Sequence, residues 1–319
     1  MDEIKFYRNL KEETFDVESC FLCGQECDSK TAEHIFPKWL QHKYDLWDKK
    51  LIISNGTTLP YRNLTVPCCS DCNNNKLSQL EERFKLLLDG HFEDLTFEDE
   101  KTIFQWTGKI LYATRYLELS LLIDRKNPDL GKIISPKELE SYSALHLFLQ
   151  SIRFETKFNA PKPWSIFIFK CNDEEFFYHN LLSSLCLSMK FGSVSLTIVY
   201  EDNNTISDFM GVFKNLRNYG INFAQYLEIN AHIFYSATLK ENVPKYFSHF
   251  HQETEVLTVN TMGSLKSRRW NDKEYCLNFD YLLLSCGIDI GGSSYHKDGN
   301  ITSFLIDENN EHLIAKNKN

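Results

Sequence analysis

The chain has 319 residues, of which 42% are hydrophobic and 14% aromatic, with only 8 Pro and 13 Gly. This composition excludes a disordered, collagen-like or low-complexity protein, and the length suffices for two domains of roughly 100 to 200 residues each. No apolar stretch approaches the roughly 18 residues that span a bilayer, and the start, MDEIKFYRNLKEE, lacks the apolar core of a secretory signal. We therefore expect a cytoplasmic protein without a membrane partner.

The charge balance is acidic, with 35 Lys+Arg against 44 Asp+Glu and a formal net charge of -9. The first 90 residues alone hold 12 basic and 15 acidic side chains. Tight non-specific binding of nucleic acid needs many phosphates to be neutralised by cations. The charge therefore excludes a protein that holds nucleic acid by bulk charge alone.

The first quarter of the chain contains six of the ten cysteines, and four of them form two pairs with the same x2 spacing: Cys20/Cys23 and Cys69/Cys72. Two such pairs predict a tetrahedral zinc site with four sulfur ligands, which stabilises a core too small to fold alone. A closed shell of four sulfurs leaves no open position for substrate, so this Zn²⁺ is predicted to be structural. No disulfide is needed.

Two further cysteines in this region leave an alternative open, since Cys23-x3-Cys27 and Cys68-x3-Cys72 are also sterically possible. We favour the x2 pairs because Gly24 suits a tight turn after the first pair and Asn73 begins a helix after the second. Cys27 and Cys68 are then bystanders. The last four cysteines are scattered singly among apolar residues, which predicts buried free thiols: Cys171, Cys186, Cys276 and Cys286.

The 45 residues between the pairs are too many for a simple zinc ribbon. They include a short extended segment, Ala32 to Pro37, in which Glu33 and His34 are adjacent. After the second pair, apolar residues at helical spacing predict a helix from Leu77 to Leu88.

This combination resembles the HNH endonucleases of the ββα-metal (treble-clef) type whose hairpin and helix are held by a four-cysteine zinc. The matching motifs are Cys20/Cys23, Glu33-His34-Ile35-x-Pro37, Asn63, and Cys69/Cys72-Asn73-x-x-Lys76. The resemblance covers about residues 18 to 90, and only the combination is specific. Two positions depart from the family pattern, because Asn73 replaces His and Glu33 replaces the more frequent Asp.

The resemblance implies a reaction and a role for each residue. His34 would act as general base on water, and Glu33 and Asn73 would hold one divalent cation through oxygen, which favours Mg²⁺ or Mn²⁺. Asn63 would brace the loop that orients His34, and Lys76 would contact a phosphate. The substrate would be nucleic acid, with DNA favoured over RNA.

The remaining sequence predicts helices and then short strands, without an internal repeat. Predicted helices cover about 101–123, 136–153 and 207–219, after an acidic loop at 92–100. Predicted strands cover 164–170, 175–181, 183–189 and 193–200, with further strand-like runs at 229–239, 255–260, 281–284 and 301–306. The polar tail, 307–319, is expected to fray.

The predicted fold class is therefore α+β, with a zinc-pinned nuclease module at 1–90, a helical connector at 91–155 and an α+β domain at 156–319. The last domain would select a target, sense a signal or dock a partner. Its one basic cluster, Lys266, Arg268 and Arg269 beside Trp270, would contact nucleic acid. By analogy of architecture, such a protein resembles restriction or anti-phage effectors.

The net charge of -9 suggests conditional activity, in which a protein partner or homo-oligomer brings a basic surface to the metal site. A function of another class is also open: a zinc-stabilised module that binds nucleic acid or protein and carries a vestigial nuclease centre. An RNA substrate is the third alternative.

Overall fold

A computed structural model describes residues 19–27, 31–90, 95–217, 219–306 and 311–313 of the chain. Its architecture is mixed α+β, as predicted. The chain divides into two units. The first comprises the described residues of 1–91, 95–157 and 248–259, and the second those of 158–247 and 260–319. Within these described ranges, no helix is long and apolar enough to cross a membrane.

The first unit begins with a turn that carries Cys20 and Cys23, followed by short strands and helices. These are β1 (Ala32–His34), α1 (Lys38–Lys43), β2 (Lys50–Ile52), β3 (Thr58–Pro60), β4 (Thr65–Pro67) and α2 (Ser78–Asp89). β1 pairs antiparallel with β4, and β2 pairs antiparallel with β3. One π-helical turn, Cys72–Leu77, leads directly into α2, which confirms the predicted helix and moves its beginning towards the second cysteine pair.

The next helices of this unit pack against the cysteine-bearing turn. They are α3 (Phe97–Glu118), α4 (Pro136–Leu139) and α5 (Ser143–Leu149), and strand β5 (Glu155–Phe158) follows. Tyr116 of α3 donates a 2.7 Å hydrogen bond to the carbonyl of Ser19. His146 of α5 and Gln150, which directly follows that helix, both donate to the carbonyl of Leu22, at 3.1 and 3.0 Å.

The predicted boundaries of these helices need correction. The acidic loop predicted at 92–100 is helical from Phe97, because Thr96 and Asp99 form a reciprocal capping box that starts α3 there. The same helix ends at Glu118, five residues before the predicted end. The helix predicted at 136–153 is split into α4 and α5 by a 3-10 turn at Glu140–Tyr142.

The second unit is built on a five-stranded sheet. Its elements are β6 (Trp164–Cys171), β7 (Phe176–Leu181), β8 (Cys186–Phe191), β9 (Val194–Tyr200), α6 (Thr205–Phe209), β10 (Gly220–Ile221) and α7 (Phe223–Thr238). The strand order is β10-β6-β9-β8-β7, with β10 parallel to β6 and the other neighbours antiparallel. All four strands predicted between 164 and 200 are confirmed. The helix predicted at 207–219 is instead α6 and a 3-10 helix, Gly211–Leu216.

The chain continues with β11 (Lys240–Asn242), β12 (Lys245–His251), β13 (Val256–Met262), β14 (Lys266–Ser267) and α8 (Asp272–Ser285). β13 confirms the strand predicted at 255–260. It lies between β12 and β5 in a three-stranded sheet, and β11 pairs with β14. Three of the four scattered cysteines are buried free thiols, as predicted, and Cys286 is half-buried.

Three of the predicted strand-like runs are wrong. Residues 229–239 lie mainly in α7 and residues 281–284 in α8, while 301–306 contributes only isolated bridges. α7 is buried almost all round, because Ile229 and Ile233 pack into the core beside the sheet while Leu227 and Ala231 pack with α8. A helix buried on every side reads as a continuous apolar run, which resembles a buried strand. The tail predicted to fray lies outside the described residues except for 311–313.

Candidate metal centre and active site

The four cysteines of the two x2 pairs converge in the first unit. Their sulfur atoms all lie within 4.8 Å of one another, and the Sγ atoms of Cys23 and Cys69 are 3.7 Å apart. Gly24 makes the first turn possible, because its φ of +72° is a left-handed conformation that favours glycine. The second pair sits where the helix begins, with the backbone N–H of Asn73 donating to the Cys69 carbonyl at 2.9 Å.

This cluster fits a tetrahedral zinc ion. Zn–S bonds of about 2.3 Å in a tetrahedron place sulfur atoms about 3.8 Å apart, which agrees with the Cys23–Cys69 separation. Cys20, Cys23 and Cys72 are buried, so the shell is closed to substrate. The contact with Cys20 raises the pKa of the Cys23 thiol to about 12, and burial contributes to this rise. A cation must therefore displace protons to bind, as at other thiolate sites.

The alternative spacings are not those of the cluster, since neither Cys27 nor Cys68 belongs to the group of four. Cys68 is nevertheless a close neighbour: it is fully buried, and its Sγ lies 3.9 Å from that of Cys20. The x2 interpretation is confirmed, with Cys68 packed against the outside of the cluster.

Strand β1 holds the predicted Glu33-His34 pair on opposite faces, because side chains alternate along a strand. Glu33 lies opposite Val66 of β4, and His34 opposite Thr65. Glu33 is only 7% exposed, whereas His34 is half-buried. The acid thus points into the protein and the imidazole towards its surface.

The carboxylate of Glu33 is bound by a lysine that sequence analysis missed. Lys109, in the middle of α3, has no exposed surface, and its Nζ lies 2.5 Å from Glu33 Oε1. The same ammonium donates to the carbonyl of His34 at 3.1 Å and lies 3.6 Å from Glu81 of α2. Burial lowers the pKa of Lys109, but the two carboxylates outweigh this effect and raise it, so the lysine stays charged.

The signal for Lys109 was present in the sequence but weak. It interrupts a run of apolar residues in the helix predicted at 101–123, where a lone lysine is more often explained as reaching solvent. Only the fold shows that two carboxylates from other elements meet it.

His34 lies beside aromatic and cationic groups. Its ring stacks on that of Trp47, with centroids 6.3 Å apart and an interplanar angle of 24°, and the other imidazole on Trp47 is His42 at 5.2 Å. Burial, followed by the charge of Lys38, lowers the pKa of His34. The imidazole is therefore neutral at pH 7 and can accept a proton.

The other predicted site residues flank the hairpin. Asn63 is exposed at the end of a 3-10 turn that precedes β4, and Asn73 and Lys76 are half-buried in the π-helical turn Cys72–Leu77. In the described part of the chain, no hydrogen bond joins either asparagine side chain to Glu33 or His34. Outside the four cysteines, the described residues contain no group of three or more His, Cys, Asp or Glu side chains close enough to hold a metal.

The basic cluster at 266–269 belongs to the second unit. Lys266 lies in β14, and Arg269 is exposed. Arg268 is paired with Glu274 at 2.8 Å, which neutralises part of the cluster. The neighbouring Trp270 packs its ring against His232, Tyr235 and Tyr275, so it is a core contact and is not presented to a base.

Comparison with models of known protein families, with curated proteins and with solved structures finds no significant match for this chain. The resemblance to HNH endonucleases therefore rests on the motifs and their placement alone.

We expect the purified protein to contain zinc, because four converging thiols, three of them buried, are stabilised by a divalent cation that replaces their protons. Cys72→Ser removes one ligand and should abolish zinc retention and lower the temperature at which the first unit unfolds. Metal analysis by mass spectrometry and thermal unfolding by circular dichroism measure both.

Cys27→Ser is the matched control, since Cys27 lies in the same segment as the first pair but outside the cluster. It should keep the zinc. Zinc retained by Cys72→Ser and lost by Cys27→Ser would contradict the assignment.

The buried ion pair predicts a large effect on stability. Lys109→Met leaves the Glu33 carboxylate buried without its partner, so we expect a loss of about 3–5 kcal/mol in the free energy of unfolding. The double variant Glu33→Gln/Lys109→Met carries neither charge and should recover most of this loss. Urea unfolding compares the three proteins, and equal stability of the single and double variants would show that the pair does not hold the two elements together.

Proposed function

We propose that the chain is a metal-dependent HNH-type endonuclease that hydrolyses phosphodiester bonds of nucleic acid, with DNA favoured over RNA. One observation carries the proposal: the strand bearing Glu33-His34 pairs antiparallel with β4, a helix follows β4, and four cysteines converge, two from before the strand and two from the beginning of the helix. This is the order of elements that the ββα-metal resemblance implies. The same motifs in an unrelated fold would not be expected to give this order.

His34 is the general base of the proposed reaction. Its imidazole is half-buried, so it keeps access to water while its ring is held against Trp47. An imidazole nitrogen takes the proton from a water molecule as that water attacks the phosphorus. The hydrogen bond from Lys109 to the His34 carbonyl fixes the backbone that carries this ring.

Glu33 and Asn73 are the proposed ligands of the catalytic Mg²⁺ or Mn²⁺. Mg²⁺ usually takes one or two protein carboxylates and completes its shell with phosphate oxygens and water, so one carboxylate and one amide fit it chemically. Lys109 holds Oε1 of Glu33, so only the other carboxylate oxygen would be left for a cation. When bound, such a cation neutralises charge on the scissile phosphate and at the leaving oxygen.

Two further side chains have supporting roles in the proposal. Asn63, two residues before β4, would brace the loop that orients His34. Lys76, one helical turn after Asn73, would contact a phosphate held at the beginning of the helix. Because the net charge of the chain is acidic, full activity would require a protein partner or a homo-oligomer. The architecture suits a restriction or anti-phage effector, by analogy only.

A second function is favoured by the ion pair of Glu33 with Lys109. The carboxylate of Glu33 is 7% exposed and is bound to a buried ammonium, and such an ion pair can have a purely structural role. The protein would then be a zinc-stabilised module that binds nucleic acid or protein, with a vestigial nuclease centre. This function predicts zinc but no second metal.

Incubation of plasmid DNA with the full chain and Mg²⁺ or Mn²⁺ tests the nuclease. We expect nicking or cleavage, and His34→Ala should slow it by about 10²- to 10⁴-fold, which is the usual contribution of a general base. Structured RNA in a parallel reaction distinguishes the two substrates.

His42→Ala is the control for this experiment, because His42 stacks on the same Trp47 without being the proposed base. It should slow cleavage far less than His34→Ala does. Equal cleavage by wild type and His34→Ala would show that the activity comes from elsewhere. Isothermal calorimetry of the zinc-loaded protein with Mn²⁺ separates the two functions, since only the nuclease binds a second metal.

A further inference from the structure

Exposed cationic side chains are concentrated in the segment that separates β1 from β4. Between residues 34 and 70 the sequence has five basic residues and only two acids, Asp45 and Asp48, in a chain with a net charge of -9. The basic residues form what we call the basic rim: Lys38, Lys43, Lys49, Lys50 and Arg62. All four lysines are exposed, and Arg62 is half-buried.

One end of the rim lies beside His34. Lys38 is the first residue of α1, four residues after His34, and its charge acts on the imidazole. The ring of Trp47 stacks on His34 and also on His42 of α1. This shared contact holds both α1 and the segment leading to Lys49 close to the proposed base.

The other end of the rim is fixed by backbone hydrogen bonds. The Lys49 carbonyl accepts from the N–H of Tyr61 at 3.0 Å, and Lys50 pairs with Pro60 across the β2–β3 hairpin. Arg62 donates its N–H to the Trp47 carbonyl at 3.4 Å. Arg62, which precedes Asn63, is thereby held against the segment that contains Lys49 and Lys50.

The charge of the rim is largely free. Arg62 pairs with Asp48, but within the described ranges none of the four lysines has a carboxylate at ion-pair distance. Other cations of the chain differ in this respect: Lys109, Lys190 and Arg268 each have an acidic partner. Four exposed ammonium groups without a carboxylate partner, all within one short segment, create a local positive field despite the acidic sum.

We propose that the basic rim binds the phosphate backbone of the nucleic acid and so brings the scissile phosphodiester to His34. This inference rests on the proposed endonuclease function and identifies where its substrate lies. Backbone contacts of this kind fix position and carry no sequence information. With about four phosphates neutralised, binding should be weak and sensitive to salt, as expected for an acidic protein.

Fluorescence anisotropy with the full-length chain tests the rim. The probes are labelled duplex DNA, single-stranded DNA and single-stranded RNA of one random sequence, and all proteins carry His34→Ala so that the probe stays intact. We compare the rim variant Lys38→Gln/Lys43→Gln/Lys49→Gln/Lys50→Gln with a matched variant of four exposed lysines in the second unit, Lys214→Gln/Lys245→Gln/Lys273→Gln/Lys297→Gln. Zinc content checks that each protein is folded.

We expect the rim variant to bind at least about tenfold more weakly at low salt, because glutamine side chains do not neutralise phosphates. The slope of log Kd against log salt should fall by about 0.9 for each phosphate of duplex DNA that is no longer neutralised, and by about 0.7 for each phosphate of a single strand. The variant in the second unit should bind as the parent does. An unchanged affinity and salt slope in the rim variant would overturn the inference.

Cleavage by the same variants with His34 restored separates this inference from the nuclease proposal. Binding that depends on the rim, without cleavage by any of the proteins, would support the rim as a binding surface and contradict the proposed nuclease activity. If the rim variant cleaves as the parent does and the variant in the second unit cleaves less, the nuclease activity is supported and the inference about the rim is wrong.

Discussion

The buried ion pair between Lys109 and Glu33 constrains the whole first unit. An ammonium group with no exposed surface costs several kcal/mol in lost hydration, and only close carboxylates can offset that cost. The middle of α3 must therefore lie against β1, and Glu81 brings α2 to the same point. The ring of Phe84 in α2 stacks on Trp106 of α3 at 3.9 Å, which reinforces this arrangement. The helices predicted as a connector thus form the support of the strand that carries His34.

This support also reaches the cysteine cluster. Tyr116 binds the backbone at Ser19, and His146 and Gln150 bind that at Leu22, so α3 and α5 hold the turn between Cys20 and Cys23 from outside. Burial lowers the pKa of His146 to about 4, which keeps this inner histidine neutral and able to donate one hydrogen bond. The metal site and the Glu33-His34 strand therefore share one scaffold, and a change in either should be felt by the other.

Local patterns in the sequence were sufficient to predict those parts of the structure that depend on residues close together in the chain. The x2 spacing predicted which cysteines meet, and strands bounded by turns predicted β6 to β9. They were insufficient in α7, because a helix buried on several sides loses the periodic spacing of its apolar residues. They were also insufficient for Lys109, because it binds Glu33 across a long separation in sequence. The sequence correctly predicted an extended segment at Glu33 and His34 and a helix that begins near Asn73. Residue spacing does not reveal that the alternation of β1 places Glu33 inward and His34 outward.

The net charge of a chain is a poor guide to the field at one site. Charges separated by more than about 8–10 Å are screened in physiological salt, so a phosphate beside His34 responds mainly to the charges near it, such as that of Lys38. Of the 15 acids in the first 90 residues, eight precede residue 31, and Glu33 and Glu81 face Lys109. The net charge of residues 1–90 therefore includes carboxylates that have internal partners or that lie in another segment of the sequence. An acidic net charge is therefore compatible with a positive surface near the proposed base. The affinity for nucleic acid would then be limited by the small number of phosphates that this surface can neutralise.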